Sequence, residues 1–216
     1  MNYRHAFHAG NHADVLKHLV LLLVLRKLVE KDKPFVALDL FAGQGLYDLL
    51  LDERVARTGE WRSGLGRIVG REDAGPGAAP EAVETYRRAV RAFQNGALED
   101  ALRWCPGSPA LIRDALRGSD RLVAVERHPE EAEALRRYLR DDARARVAED
   151  DGWLAVKALT PPTPRRGVAL IDPPFEKTGE FDRMLQALGD GLRRWATGIY
   201  LLWHPVKDLR AVAAYE

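Results

Sequence analysis

The run Leu170-Ile171-Asp172-Pro173-Pro174-Phe175 carries the most specific chemistry in this chain of 216 residues. An apolar strand passes straight into two prolines, which lack N–H donors and hold φ at about −65°, so a rigid turn with free carbonyl oxygens is expected at the strand's carboxyl end. An amine attached to an aromatic ring is a poor nucleophile because its lone pair is delocalised into the ring. A site that uses such an amine must therefore offer hydrogen-bond acceptors. Asp172 and the Pro173 carbonyl meet that need: accepting two N–H bonds draws the nitrogen toward tetrahedral geometry, with Pro174 stiffening the turn and Phe175 placed to stack on the ring. Asp172 can also accept the proton released as the new bond forms, with loss to water as the alternative. The competing reading is a proline-stiffened loop after a core strand.

A second constellation, Asp39-Leu40-Phe41-Ala42-Gly43-Gln44-Gly45, ends an apolar run in a loop with two glycines. Glycines let backbone approach a ligand closely, although a glycine pair alone also fits an ordinary strand-to-helix turn. Methyltransferases that use S-adenosylmethionine commonly open with this D-x-F-x-G-x-G arrangement, in which Asp39 orients the methionine amino group while Phe41, Gly43 and Gly45 line the cofactor. Glu126, ending VAVE, suits two ribose hydroxyl donors, and Asp151 with Gly152 suits the cofactor's adenine. Asp172 closes that same cofactor site. Singly, each acid reads equally as a solvated surface residue.

Four of the six histidines fall between Tyr3 and His18. His8 and His12 have a spacing able to hold a metal on one helix face, but Gly10 lies between them and no acidic third ligand is evident, so no metal is assigned. Tyr3 and Arg4, with the neighbouring aromatic and histidine side chains, suit base stacking and phosphate contact, which makes this segment a candidate cap over the site.

The elements that must position these groups follow from periodicity. Short apolar, β-branched segments occur at Phe35–Leu40, Arg121–Val125, Arg146–Ala148, Gly167–Ile171 and Gly198–Trp203. Helical stretches are expected at Ala13–Lys31, Glu130–Arg140, Gly152–Leu159 and Phe181–Trp195, and the alternation argues for a doubly wound α/β sheet. Residues 50–109 are too long for a plain crossover and contain GPGAAP followed by an amphipathic helix, Glu81–Phe93. They are read as an inserted helical subdomain, between 1–49 (N-terminal cap and first strand) and 110–216 (the remainder of the main domain). The insertion explains why Glu126 lies far beyond the spacing of about 20 residues usual between glycine loop and ribose-binding acid.

A composition of 46% hydrophobic and 30% charged residues supports a packed core and excludes disorder. The formal charge of +1 means that any nucleic-acid partner must be held by local patches. Arg54, Arg57, Arg62, Arg67 and Arg71, with Arg165 and Arg166, are candidates for phosphate contact, and equally for a solvated face. The lone Cys105 precludes an internal disulfide and fits a reducing cytosol. Leu19 to Leu25 is far shorter than the roughly 20 residues of a membrane span.

Taken in order along nearly the whole chain, YRHAFHAGNHADVLKH, DLFAGQG, TGEW, PGSP, AVERHP, DDGW, RRGVALIDPPFE and WATGIY resemble the RlmJ family of 23S ribosomal RNA adenine-N6-methyltransferases. The resemblance implies a Rossmann-like methyltransferase fold with a helical insertion, S-adenosylmethionine as cofactor, and action as a cytoplasmic monomer on naked or partly assembled 23S RNA at adenine 2030. It further implies a catalytic Asp172, an RNA contact from Tyr3, and cofactor contacts from His18, Ser108, Glu126, Asp151 and Gly152, of which His18 and Ser108 come from the resemblance alone. Two departures stand out: Phe41 replaces a histidine expected in some members, and the segments expected here number five strands where such sheets have seven. The final helix and antiparallel hairpin are thus expected to be missing, leaving the fifth strand with an unpaired edge. The proline motif alone also permits a DNA adenine or protein glutamine methyltransferase, and fold alone permits a non-catalytic RNA-binding module.

Overall fold

The structure is a computed structural model that describes residues 4–70, 79–94 and 102–206. A five-stranded parallel sheet, ordered β5-β4-β1-β6-β7, is built from β1 (Val36–Asp39), β4 (Arg121–Glu126), β5 (Ala145–Glu149), β6 (Gly167–Ile171) and β7 (Ile199–Leu202). Alternate residues of each strand feed opposite cores, as the two-residue period requires. On one face Ala37, Leu122, Ala124, Val168 and Leu170 pack with the helices α1 (His12–Val29), α5 (Ser108–Ala115) and α6 (Pro129–Leu139). On the other, Val36, Leu38, Val125, Ala169 and Ile171 meet α7 (Gly152–Leu159) and α8 (Glu180–Arg194). The expected α/β class with helices on both faces of a mainly parallel sheet is the one found.

Strand boundaries contract or grow by one residue relative to the sequence expectation. Phe35, for example, is held by a side chain: its N–H donates to the buried Asp120 carboxylate at 3.0 Å. Arg117 and Arg166 satisfy the carbonyls where α1 ends and the chain enters β1. Arg117 donates to the carbonyls of Lys31 and Lys33, and Arg166 to those of Leu28 and Lys33. The guanidinium of Arg166, expected as a candidate phosphate contact, is therefore committed to backbone.

A second sheet was not legible in the sequence. β2 (Leu46–Asp48) pairs antiparallel with β3 (Trp104–Pro106), placing Tyr47 opposite Cys105, both buried. Each strand has only three residues, too few for a periodic signal, and the pairing spans the whole intervening segment. That segment holds α2 (Glu53–Thr58), a 3₁₀ turn (Glu60–Arg62), α3 (Leu65–Val69) and α4 (Glu81–Ala92). Tyr86 and Val90 of α4 are buried in the core that includes Leu21 and Leu25 of α1. Because neighbours cover it on several sides, α1 is apolar nearly all round.

The segment between β2 and β3 also grips the N-terminal segment. A Cβ on Gly64 would stand 2.3 Å from the Gly10 carbonyl oxygen and 2.4 Å from the Asn11 carbonyl carbon, and Leu65 N–H donates to that same Gly10 oxygen at 2.8 Å. Only glycine permits backbone to lie against backbone here. Gly64→Ala is expected to lower stability by about 1–3 kcal/mol through overpacking at this seam. Urea unfolding would measure the loss, and an unchanged midpoint would contradict the tight seam.

Candidate functional site

The carboxyl ends of β1, β4 and β6 converge on a cleft that is partly open to solvent. Of the residues singled out in the sequence, Arg4, Phe41, Gly43, Ser108, Glu126, Asp151, Gly152, Asp172 and Pro174 all line it. Gly43 (φ +63°) donates its N–H to Glu126 Oε2 at 2.8 Å, and His128 N–H donates to Glu126 Oε1 at 2.7 Å. Burial pushes the Glu126 carboxyl up, against those two donors. Asp151 caps α7 by accepting from Trp153 N–H at 2.9 Å and also pairs with Arg127. Gly152 lies so close to β1 that a Cβ would stand 2.0 Å from the Leu40 carbonyl oxygen. Phe41 meets the Trp153 ring edge-on, with centroids 4.9 Å apart.

Asp39, His18 and Gly45 sit behind this surface and do not line the cleft. Gly45 makes room for Leu135 and Tyr138 of α6. His18 is buried beside Tyr86, and both its ring nitrogens lack hydrogen-bond partners. Burial pulls its pKa down to about 3, which keeps the ring neutral. Asp39 is completely buried with both carboxylate oxygens unpartnered, and burial raises its pKa to about 6, opposed by the nearby Ser108 hydroxyl and Lys17. A buried carboxylate without a donor fits a site that receives a cationic ligand group. The acceptors on Glu126 and the side-chain-free approach at Gly152 fit a nucleoside, and the buried Asp39 places a potential negative charge behind Ser108, which lines the cleft.

A second, broader cavity adjoins the first, and His5, Lys17 and Asp172 line both. The proline motif alternates between the two. Pro174 faces the first cavity, Pro173 and Phe175 face the second, and Asp172 stands in the wall between them. Phe175 has φ +51°, a strained conformation for a bulky residue, and its ring packs against Phe181 with centroids 4.9 Å apart. His8, Asn11, His12, Trp203 and His204 complete the second cavity.

The wall is a chain of buried charges that was not legible in the sequence. Lys17 Nζ donates to Asp172 Oδ2 at 2.5 Å and to Asp14 Oδ1 at 2.8 Å. Asp14 Oδ2 faces His5 Nε2 at 2.9 Å and accepts from Gly10 N–H at 2.9 Å. Burial disfavours the charged forms of His5 and Lys17, yet Asp14 raises the His5 imidazole above its usual pKa. Asp14 and Asp172 together raise the Lys17 ammonium. Burial likewise opposes ionisation of Asp14, but His5 and Lys17 hold its carboxyl well below the usual range. The usable sequence signal was a charged i, i+3 pair just before the leucine- and valine-rich run of the same helix.

The N-terminal block owes part of its composition to this scaffold. Glu60 of the TGEW segment accepts from the Asn11 side chain at 3.0 Å and lies 3.1 Å from His8 Nδ1, so His8 contacts Glu60 while His12 opens α1. Among the described residues no group of His, Cys, Asp and Glu could hold a metal ion. Arg4 reaches Glu130 at the start of α6 at 2.5 Å, drawing this segment across the mouth of the first cavity. Tyr3 and Arg71 lie outside the described residues. Arg54 is committed to Asp52 and Glu131, whereas Arg57, Arg62 and Arg67 are exposed. Among the described residues no helix is long and apolar enough to cross a membrane.

Sheet order, glycine loop and strand-end acids define the class as an α/β methyltransferase-type fold. The family model described as "Ribosomal RNA large subunit methyltransferase D, RlmJ" matches residues 32–215, and the chain belongs to that family. It is 45% identical over 206 residues to the "Ribosomal RNA large subunit methyltransferase J" of Escherichia coli K12, covering 95% of this chain and 70% of that protein. The protein of the same description from Haemophilus influenzae is 41% identical over the same shares of each chain. A crystal structure of a Legionella pneumophila protein superposes with a TM-score of 0.84 at 31% identity, over 96% of this chain and 73% of that one.

Replacing Lys17 with methionine leaves two carboxylates facing one another in a buried wall, and the expected loss of stability is about 3–5 kcal/mol at neutral pH. The deficit should shrink as pH falls, because Asp14 without its lysine takes up a proton more readily. Denaturant titrations at two pH values would measure both effects. A Lys17→Met protein within about 1 kcal/mol of the wild type would contradict the pairing.

Proposed function

We propose that this protein transfers the methyl group of S-adenosylmethionine to N6 of an adenine in 23S ribosomal RNA. It would act as a cytoplasmic monomer on naked or partly assembled RNA, at the adenine numbered 2030 that the family resemblance implies. Membership of the family supports a methyltransferase acting on ribosomal RNA. The observation that carries the finer reading is the wall shared by two cavities, with Asp172 of the proline motif in the wall and the strand-end acids Glu126 and Asp151 lining the first cavity.

The first cavity has the groups to hold the cofactor. Glu126 would accept from the ribose, Asp151, Gly152 and Phe41 would border its adenine, and Ser108 would border the methionine end, with Asp39 and His18 buried behind the cleft surface. When bound, S-adenosylmethionine supplies an electrophilic methyl on a sulfonium centre. The second cavity suits the target base, where Phe175 offers a ring face and Tyr3 and Arg4 belong to the segment that would meet the RNA.

Lys17 holds Oδ2 of Asp172 in place, which leaves Oδ1 to accept one N–H of the adenine amine, with the Pro173 carbonyl as the second acceptor. Two accepted bonds pyramidalise N6 and turn its lone pair toward the first cavity. As the N–C bond forms, the amine becomes acidic and Asp172 takes its proton, which can pass to water after the product leaves. The acceptor geometry is preorganised because Asp172 is fixed before substrate arrives, so little reorganisation opposes reaction.

Tritium transfer from labelled S-adenosylmethionine to unmethylated 23S RNA should fall about a hundredfold or more in Asp172→Asn, with cofactor binding largely retained. An unimpaired Asp172→Asn enzyme would refute the mechanism, and preferential methylation of duplex DNA would refute the substrate. Cofactor affinity should also depend on pH. Asp39, raised to about 6 in the free protein, would attract the ammonium from behind the cleft surface only when ionised, so affinity should strengthen as pH rises through about 6 and level off above it. Calorimetry across that range would show the slope, which should vanish in Asp39→Asn. A wild-type affinity that is flat across it would remove Asp39 from the site.

A further inference from the structure

Glu131 is a buried acid with no part in the chemistry above. It lies on the first turn of α6, is 3% exposed and lines the first cavity. Its Oε1 accepts from Arg54 Nη1 at 2.6 Å. Arg54 is itself fixed by Asp52, through Nε at 3.0 Å and Nη2 at 2.8 Å, and by the Gln44 side chain at 3.1 Å. The other oxygen, Oε2, is buried and has no hydrogen-bond partner. Arg54 thus determines where the carboxylate points but satisfies only half of it. A buried charged oxygen left without a donor is destabilising, and such atoms persist where a ligand completes them.

The neighbourhood indicates which ligand group that is. The charge of Glu131 bears on Glu126 and on Tyr47, whose hydroxyl closes on Gly43. This is the part of the cleft where Glu126 stands. Each Glu126 oxygen already accepts one backbone N–H. A ribose brings two adjacent hydroxyl donors, and one carboxylate so engaged is a crowded acceptor for both.

We infer that Glu131 is a second ribose-binding residue: its Oε2 accepts one of the two vicinal hydroxyls of the nucleoside in the cleft, and Glu126 accepts the other. Arg54 is the positioning residue, so an arginine of the insertion sets the shape of the cofactor site. The inference rests on the reading that this cleft holds S-adenosylmethionine.

Calorimetry with the full chain tests it, using S-adenosylhomocysteine and its 2′-deoxy and 3′-deoxy analogues as probes. Glu131→Gln should weaken S-adenosylhomocysteine about tenfold, while binding one of the two deoxy analogues as well as the wild type does. Melting temperatures accompany the titrations. If Glu131→Gln does not fold, Glu131→Asp, which keeps the charge but shortens its reach, makes the same comparison. Equal affinities for S-adenosylhomocysteine in wild type and variant, or an equal loss for all three probes, would overturn the inference and leave the cofactor reading standing. A wild type that binds none of the three would overturn both.

Discussion

Lys17 lies between Asp14 and Asp172, joining the first turn of α1 to the end of β6, and the rest of the site is arranged around that buried contact. Burying three charges is unfavourable for each alone. Together, with His5 and the Gly10 N–H completing Asp14, they form a chain in which every member holds the next. The chain fixes Asp172 in the wall between two cavities. It also ties that wall to the N-terminal segment, so the proline motif and that segment are joined in one electrostatic unit.

Several features that look unrelated serve this unit. The insertion contributes Glu60 to His8 and Asn11, and Gly64 to the backbone of Gly10 and Asn11, which sets the helix start that carries Asp14 and Lys17. The same insertion contributes Arg54 to Glu131 beside the glycine loop. The N-terminal segment and the segment between β2 and β3 therefore behave as one supporting frame applied to both cavities, although they are separate in sequence. The parallel sheet supplies the remainder, since its strand ends present the acids and the prolines at a single edge.

The sheet and the cleft were readable in the sequence because they depend on local patterns. Short apolar runs between amphipathic stretches mark the strands, and Asp39, Glu126, Asp151 and Asp172 each close such a run. Contacts between distant segments were not readable. Lys17 and Asp14 have the spacing of an ordinary surface pair, and nothing local says that α4 and α5 cover their helix. The β2 and β3 strands are too short to show a period and meet only across the insertion. Arg166 had the composition of a phosphate contact and turned out to satisfy carbonyls at the end of α1, a role that only the folded geometry reveals.

The most direct test is a crystal structure of the protein with both S-adenosylhomocysteine and adenosine monophosphate. The expected result is the thioether sulfur in the first cavity facing Asp172, with the adenine of the second ligand against Phe175 and its N6 directed at the Asp172 carboxylate. Both ligands in one cavity, or a thioether remote from the Lys17–Asp172 pair, would contradict a reaction across that wall.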